Sequence, residues 1–294
     1  MTEGIILLDK PAGQTSFKAL GEIKERLGTR RVGHAGTLDK FADGLLLVMS
    51  GRMTRLCAIA TGMDKEYVAR IHFGIGTDTL DPEGAVVSKG RIPDRAEVEA
   101  LASCFTGAIL QVPPAFSAIH VGGRRAYEAA RKGVAVQLPS RLVTIHRFEI
   151  LDFRPPELIV RIACSKGTYI RSLARDLAEK AGTCAHLTGL RRVRIGELRV
   201  EEAVRPEDFD PRYHLHAPSF FFESSRTLER AVVRDPWRAR IVSGTPPMVS
   251  SFENPPLKDT AFGAFDRDGS LIALCEKHGD KFRLLAVFPD GGDR

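Results

Sequence analysis

The sequence predicts a mixed α+β fold in two parts. A large domain spans residues 1–205, an irregular segment covers 206–230, and a small β module occupies 231–294. Three observations predict this. Runs with the period of strands, such as Gly4–Leu8 and Lys65–Phe73, alternate with segments at helical spacing, such as Phe17–Leu27. From about Pro206 the sequence becomes proline-rich and irregular. Three short strand candidates then follow, Ala261–Asp266, Leu271–Glu276 and Phe282–Val287, with a strong hairpin turn at Asp268-Gly269 between the first two.

The bulk composition sets limits. The chain has 294 residues, enough for one large domain or two at about 150 residues each. Hydrophobic residues make up 43% and charged residues 27%, an ordinary globular balance with material for a full core. The net charge of +6 allows a polyanionic partner, although the surplus is spread along the chain with no basic tail. Cys57, Cys104, Cys164, Cys184 and Cys275 are scattered and form no C-x-x-C pair, which argues for reduced thiols and against a zinc site or disulfide framework. The N-terminus lacks a basic n-region, and no apolar run reaches the ~18–20 residues of a membrane span. A cytoplasmic protein is expected.

Taken in order, Gly4–Leu8 (GIILL) is wholly apolar and reads as a buried strand, with Asp9-Lys10-Pro11-Ala12-Gly13 as the turn out of it. Ser16 is the expected N-cap of a helix over Phe17–Leu27, and Gly28 its C′ stop. Lys10 and Ser16 lack the G-x-x-x-x-G-K-[ST] spacing of a phosphate loop, which excludes that kind of nucleotide site. Gly51–Thr61 is expected as a short helix carrying Arg52 and Arg55. In Lys65–Phe73, Tyr67, Ala69, Ile71 and Phe73 share one strand face. Gly76–Gly84 reads as a polar loop whose acidic residues do not match EF-hand spacing.

Asp94 and Glu97 form a capping-box pattern for a helix to about Phe105. The two prolines of Gln111–Ile119 keep that stretch out of a central strand. Arg124–Lys132 is expected as a short basic helix. Leu142–Phe153 and Glu157–Ser165 read as strands joined by Arg154-Pro155-Pro156. Thr168 is the expected cap of a helix through Ala181, with Gly182 as its stop and Arg171 and Arg175 on one face. Ala185–Leu198 places Arg191, Arg192 and Arg194 on a basic strand-like edge. His214-x-His216 has no further ligands beside it, so no metal site is assigned.

The rest is organised around Arg31–Leu47 (RVGHAGTLDKFADGLLL). A basic, β-compatible start leads into the turn Gly33-His34-Ala35-Gly36-Thr37, then Leu38-Asp39, and the apolar run Leu45–Met49 closes it. Two glycines three residues apart permit a tight turn, so Asp39 sits where a scaffold commonly presents a reactive group. The plainer alternative is an aspartate that serves the turn or caps a helix.

Four motifs in order bear on that choice: Asp9-Lys10-Pro11-x-Gly13-x-Thr15-Ser16, Gly33-His34-x-Gly36-Thr37-Leu38-Asp39, Lys65-x-Tyr67, and Lys166-Gly167-Thr168-Tyr169-Ile170-Arg171. With Gln111-x-Pro113-Pro114-x-x-Ser117-Ala118 and Gly123-Arg124-x-Ala126-Tyr127-x-x-Ala130-Arg131, they resemble the bacterial TruB-type tRNA pseudouridine-55 synthases over roughly Gly4–Val204. The C-terminal module is similar, more weakly, to the PUA-like RNA-binding domain of that family. The resemblance implies a pseudouridine synthase catalytic domain with a central, largely antiparallel sheet. It implies isomerisation of one uridine in the T arm of tRNA, with no cofactor. Nothing in the sequence marks an interface, so a monomer is expected. The resemblance places the catalytic carboxylate at Asp39, the active-site aromatic at Tyr67 and the basic partner at Arg171. Tyr169 and Leu190 are implied to line the base pocket and His34 to hold or flip the target, with Lys10, Arg124, Arg131 and Arg191 as further substrate contacts.

These residue types suit the reaction independently. A carboxylate can act as nucleophile or base, an aromatic ring can stack on a flipped base, and basic clusters can track phosphates. Two positions depart from the family pattern: Lys40 stands where proline usually follows the aspartate, and Asp43 where a small or hydroxylated residue usually precedes Gly44. They are expected to loosen the loop and to set a second carboxylate near incoming RNA. The alternatives are a synthase with a different RNA target, or a non-catalytic tRNA-binding or folding chaperone.

Overall fold

A computed structural model describes residues 2–116, 120–121, 124–125 and 138–289. Both faces of β1 (Gly4–Lys10) are covered, which is why its sequence is so apolar. Ile6 and Leu8 pack with Leu20, Ile23 and Leu27 of α1 (Ser16–Leu27), while Ile5 and Leu7 enter a second core. The cap of α1 is Thr15, whose hydroxyl accepts from Lys18 N, and not Ser16, which is buried and engaged elsewhere. Gly28 ends the helix in the left-handed region, as expected.

β2 (Val32–Ala35) and β3 (Asp43–Ser50) follow. Gly33 and His34, expected in a turn, belong to β2 because they pair with Met49 and Val48. A 3₁₀ turn over Gly51–Leu56 leads into α2 (Cys57–Gly62). β4 (Lys65–Phe73) has the expected alternation, with Ala69, Ile71 and Phe73 buried. β5 (Ile75–Thr77) and β6 (Val86–Lys89) pair, so the expected loop is the tip of a hairpin; β6 is exposed throughout and carries no burial pattern in its sequence.

α3 (Arg95–Ala102) is capped by Asp94, and its continuation to Phe105 is a 3₁₀ turn. β7 (Gly107–Gln111) stops where the prolines begin. β8 (His120–Val121) pairs with β9 (Arg124–Arg125), so no helix starts at Arg124 as expected; Arg131 and the rest of that basic stretch lie outside the described residues. β10 (Arg141–Arg154), β11 (Glu157–Cys164), α4 (Ile170–Lys180), β12 (Ala185–Ile195) and β13 (Leu198–Arg199) complete the large domain. Thr168 does not cap α4, since its hydroxyl donates to Ser165 O. Tyr169 takes the cap position, and buried Gln111 clamps it by accepting from Tyr169 N at 2.8 Å and donating to Tyr169 O at 3.0 Å.

The main sheet runs β1-β3-β12-β4-β11-β10-β7, with β2 on β3 and β13 on β12. It is largely antiparallel; only the short β3–β12 contact is parallel. One core, with Leu38, Val98, Ile162 and Leu173, fills the space between β4, β10–β12 and the helices α3 and α4.

The C-terminal part contains α5 (Pro211–His214), α6 (Pro218–Glu223), β14 (Glu229–Val232), α7 (Asp235–Val242), β15 (Ala261–Phe265), β16 (Leu271–His278) and β17 (Lys281–Val287). The strands form one sheet, β14-β15-β16-β17. The segment 206–230, expected as an irregular linker, is packed: His216 exchanges backbone hydrogen bonds with Ile5, and Phe209, Phe221 and Phe222 are buried. A single apolar cluster runs from Leu7 and Leu47 through Phe221 and Phe222 to Phe265 and Leu274. Arg52 and Arg55 add hydrogen bonds to the carbonyls of Pro289 and Val287. The module is therefore fixed to the large domain by a shared core.

Candidate active site

The sheet itself presents Asp39. β3 has β1 along one edge; on the other, Asp43 and Gly44 pair with β12, and its last four residues pair with β2. The segment joining β2 to β3 leaves the sheet between those two partners and carries Asp39 into a cleft of about 860 Å³. Gly44 makes the close β3–β12 approach possible. Its φ is +101°, and a Cβ there would lie 2.3 Å from Arg192 O. Ser16 pins the loop from beneath, its hydroxyl accepting from Leu38 N at 2.9 Å and donating to Leu38 O at 3.0 Å. Leu38 is itself buried in the core, so the residue before Asp39 is held on both sides.

Arg171, in the first turn of α4, faces Asp39 with Nε 2.9 Å from Oδ2 and Nη2 3.2 Å from Oδ1. The Nε–H is off line for a hydrogen bond, so that contact is ionic, whereas Nη2 donates. The guanidinium is buried and held from every side. Nη1 donates to Thr79 O and to Asp81 Oδ2, and Nη2 also donates to Phe116 O. The Asp39 side chain keeps 38% exposure at the cleft mouth, while protein walls off the remaining directions. That desolvation raises its pKa above the usual carboxylate range; Arg171 opposes the shift and the nearby Asp81 adds to it.

Tyr67, on β4, projects into the same cleft opposite Arg192 of β12. Burial raises its phenol pKa, with Arg192 pulling the other way, so the ring stays neutral. Arg192 is almost fully buried and donates to Leu45 O and Gly36 O. His34 lines the cleft with a buried, unpartnered Nδ1; burial and Arg192 lower its pKa and keep it neutral. Tyr169 and Leu190 complete the pocket wall.

Six of the residues expected from the sequence thus converge: Asp39, Tyr67, Arg171, His34, Tyr169 and Leu190. Lys10 does not join them. It is fully buried, donates to Pro11 O and Gln14 O, and has its pKa lowered to about 8 by burial, so it holds the turn after β1. Arg191 is bound to Asp9 and Asp43, and Arg194 to Glu66, so the expected basic edge is largely consumed by internal carboxylates. The side chain of Arg124, like Arg131, lies outside the described residues. The two departures from the family pattern are both paired: Lys40 with Glu83 at 2.8 Å and Asp43 with Arg191 at 2.6 Å. The loop is therefore tied down on its outer side, and the second carboxylate is neutralised.

Sequence reasoning missed Asp81 and Arg141, and gave Lys65 no role beyond its place in the Lys65-x-Tyr67 motif. Asp81 looked like one acid in a polar loop; only its contact with Arg171, from a distant helix, singles it out. Lys65, buried in the cleft wall, donates to Thr61 O and Met63 O, and its pKa is lowered to about 8. Arg141 lines the cleft from the start of β10. His214 accepts from Asp210 N and His216 stacks on Phe220, so both serve packing. Among the described residues no cluster of three or more His, Cys, Asp or Glu is placed to hold a metal, and no helix is long and apolar enough to cross a membrane.

Residues 24–170 match the model of the TruB family pseudouridylate synthase N-terminal domain. The chain is 38% identical over 298 residues to tRNA pseudouridine synthase B of Thermobifida fusca (strain YX), covering 98% of this chain and 99% of that protein. It is 42% identical over 236 residues to the protein of the same name from Borreliella burgdorferi (strain ZS7), covering 79% and 82%. Its fold is similar to that of a chain in an H/ACA RNP bound to a substrate RNA containing 2′-deoxyuridine, with a TM-score of 0.74 at 22% identity over 98% of this chain and 86% of that one. With the Asp39–Arg171 pair held between the β2–β3 loop and α4, the family model matching residues 24–170 and relatives matching nearly the whole chain, the chain belongs to the TruB family of pseudouridylate synthases.

Proposed function

We propose that this protein isomerises uridine-55 in the T loop of tRNA to pseudouridine, with Asp39 as catalytic carboxylate, Tyr67 stacking on the flipped base and Arg171 pairing with the aspartate. The observation that carries this reading is the Asp39 carboxylate held by Arg171 at the mouth of a cleft that Tyr67 also lines. The name tRNA pseudouridine synthase B, borne by relatives that match nearly the whole chain, supports tRNA as the substrate.

The reaction breaks the N1–C1′ bond, turns the uracil and forms a C5–C1′ bond. C5 loses a proton and N1 ends with one. No electrons pass to another molecule, so neither redox partner nor group donor is required. Asp39 can act as nucleophile at C1′ or C6, or as base at C2′, and all three need it ionised. Arg171 supports that state against the desolvation of the cleft. Extracting a base from the loop costs a few kcal/mol, and stacking on Tyr67 offsets about 1–3 kcal/mol of it.

We further take the protein to work as a monomer on the T arm in the cytoplasm, where its five free cysteines would stay reduced. A stable dimer in sedimentation would overturn the first point. The reaction itself is tested by mapping pseudouridine in an unmodified tRNA transcript incubated with the protein and no cofactor, beside Asp39→Asn. One new pseudouridine at the T-loop position, absent with the variant, is the expected result. Salt-sensitive tRNA binding with no product from either protein would instead favour a tRNA-binding or folding role.

A further inference from the structure

Arg141 has a placement that the chemistry above does not use. It opens β10 and lines the same cleft as Asp39. Its guanidinium lies over the Tyr169 ring, 4.5 Å from the centroid, which fixes the plane of the fork. Tyr169 is in turn clamped by Gln111, so the platform under the guanidinium is rigid. Nε and Nη2 are shut off from solvent, yet neither has a hydrogen-bond partner.

The cleft's other buried guanidinium groups are committed. Arg171 is held by Asp39 and Asp81, and Arg192 by the carbonyls of Gly36 and Leu45. Buried donors are almost always satisfied, so a charged pair of them without a partner, on a residue that lines a cleft, marks the place of an absent acceptor. Nε–H and the adjacent Nη2–H point the same way along one edge of the fork. That edge matches a group with two oxygens on one atom, and a lone uracil carbonyl offers only one.

We propose that Arg141 docks one phosphodiester of the bound RNA strand, at the nucleotide that enters the cleft, by taking its two non-bridging oxygens on Nε and Nη2. This rests on reading the cleft as an RNA-modifying site. The contact anchors the backbone on the β10 side of the cleft, so that the base swings toward Tyr67 about a fixed phosphate.

The test uses a T-arm stem-loop RNA and a set of the same RNA with single neutral methylphosphonates at each linkage around the target uridine. Binding is measured across a salt series with Asp39→Asn protein, alone and combined with Arg141→Gln or Arg141→Lys, with thermal melts to check folding. One neutral linkage should weaken binding by the parent roughly tenfold. Arg141→Gln should weaken the unmodified RNA to a similar degree, be indifferent to that linkage, and lower the salt slope by about 0.7–1. Arg141→Lys should recover part of the affinity. If no linkage matters to the parent, the proposal fails, and this arm holds even if Arg141→Gln does not fold. It also fails if Arg141→Gln in the Asp39 protein slows single-turnover conversion while, in the Asp39→Asn background, affinity and salt slope stay unchanged, because Arg141 then only supports Tyr169. Absence of pseudouridine with the wild-type protein would instead sink the functional reading, independently of these binding curves.

Discussion

Replacing Asp81 with asparagine removes one of the two carboxylates that share Arg171 while keeping the side chain's shape. Oδ1 of Asp81 accepts from the Thr79 hydroxyl at 2.5 Å and from Glu83 N at 3.0 Å, and Oδ2 accepts from Arg171 Nη1 at 3.3 Å. An amide has a single oxygen. Set at the Oδ1 site, the amide oxygen leaves its NH₂ group facing the guanidinium donor against donor; turned over, the NH₂ group faces Glu83 N–H donor against donor and keeps Thr79 only by reversing that bond. Breaking a buried ion pair outright costs about 3–5 kcal/mol, and losing one charge-assisted hydrogen bond about 1.5–3. Asp39 and two carbonyls remain on Arg171, so a loss of about 2–3 kcal/mol is expected. At about 2.1 cal/mol/K of unfolding entropy per residue over 294 residues, the melting temperature falls by about 3–5 °C.

The same substitution should move the acid limb of the reaction. Asp39 is raised first by desolvation and further by Asp81, against the pull of Arg171. Removing Asp81 withdraws an upward push and leaves the guanidinium undivided, so the Asp39 carboxyl titrates lower. Activity that needs the carboxylate fades as pH falls through that value, hence the acid limb of single-turnover pseudouridine formation shifts to lower pH. A limb that stays put or moves up, or a melting temperature equal to wild type, would refute the idea that Arg171 is divided between two acids.

Asp39→Asn is expected to abolish conversion without lowering stability at neutral pH. A carboxyl held above its unfolded value of ~3.9 favours folding below that value and loses this contribution as pH rises through the folded value, and the neutral amide escapes the penalty. A marked drop in melting temperature would contradict this. Ser16→Ala strips both bonds from Leu38, costing about 1–3 kcal/mol, and should lower kcat more than tRNA affinity because Leu38 precedes Asp39; unchanged turnover would argue that the loop holds itself. Gly44→Ala places a Cβ against Arg192 O at positive φ and should cost more than about 2 kcal/mol in a denaturant titration. Gly21→Ala, on an open face of α1, should add about 0.5–1 kcal/mol in the same experiment.

Much of this molecule is written in short-range pattern. The alternation of Lys65–Phe73, the glycine stops at Gly28 and Gly182, and the hairpin at Asp268-Gly269 follow from side-chain period and backbone freedom within a few residues. The motifs likewise marked Asp39, Tyr67 and Arg171 before their geometry was known. Where the short-range signal was equivocal, the structure chose otherwise. The cap before α1 is Thr15 with Ser16 turned inward, and the position before α4 is secured by Gln111 from another strand.

Partnership was beyond the reach of the pattern. Arg191, Arg192 and Arg194 look alike in one basic strand, yet Asp43 of β3, the carbonyl of Leu45 and Glu66 of β4 claim one each. Asp39 and Arg171 meet across 132 residues of chain, and Asp81 becomes their third member only because the β5–β6 hairpin folds beneath α4. Residue type and periodicity are local properties and can be read directly. Which charge is buried, neutralised or left open depends on strand order, because partners drawn from distant elements set the solvation and potential at each site.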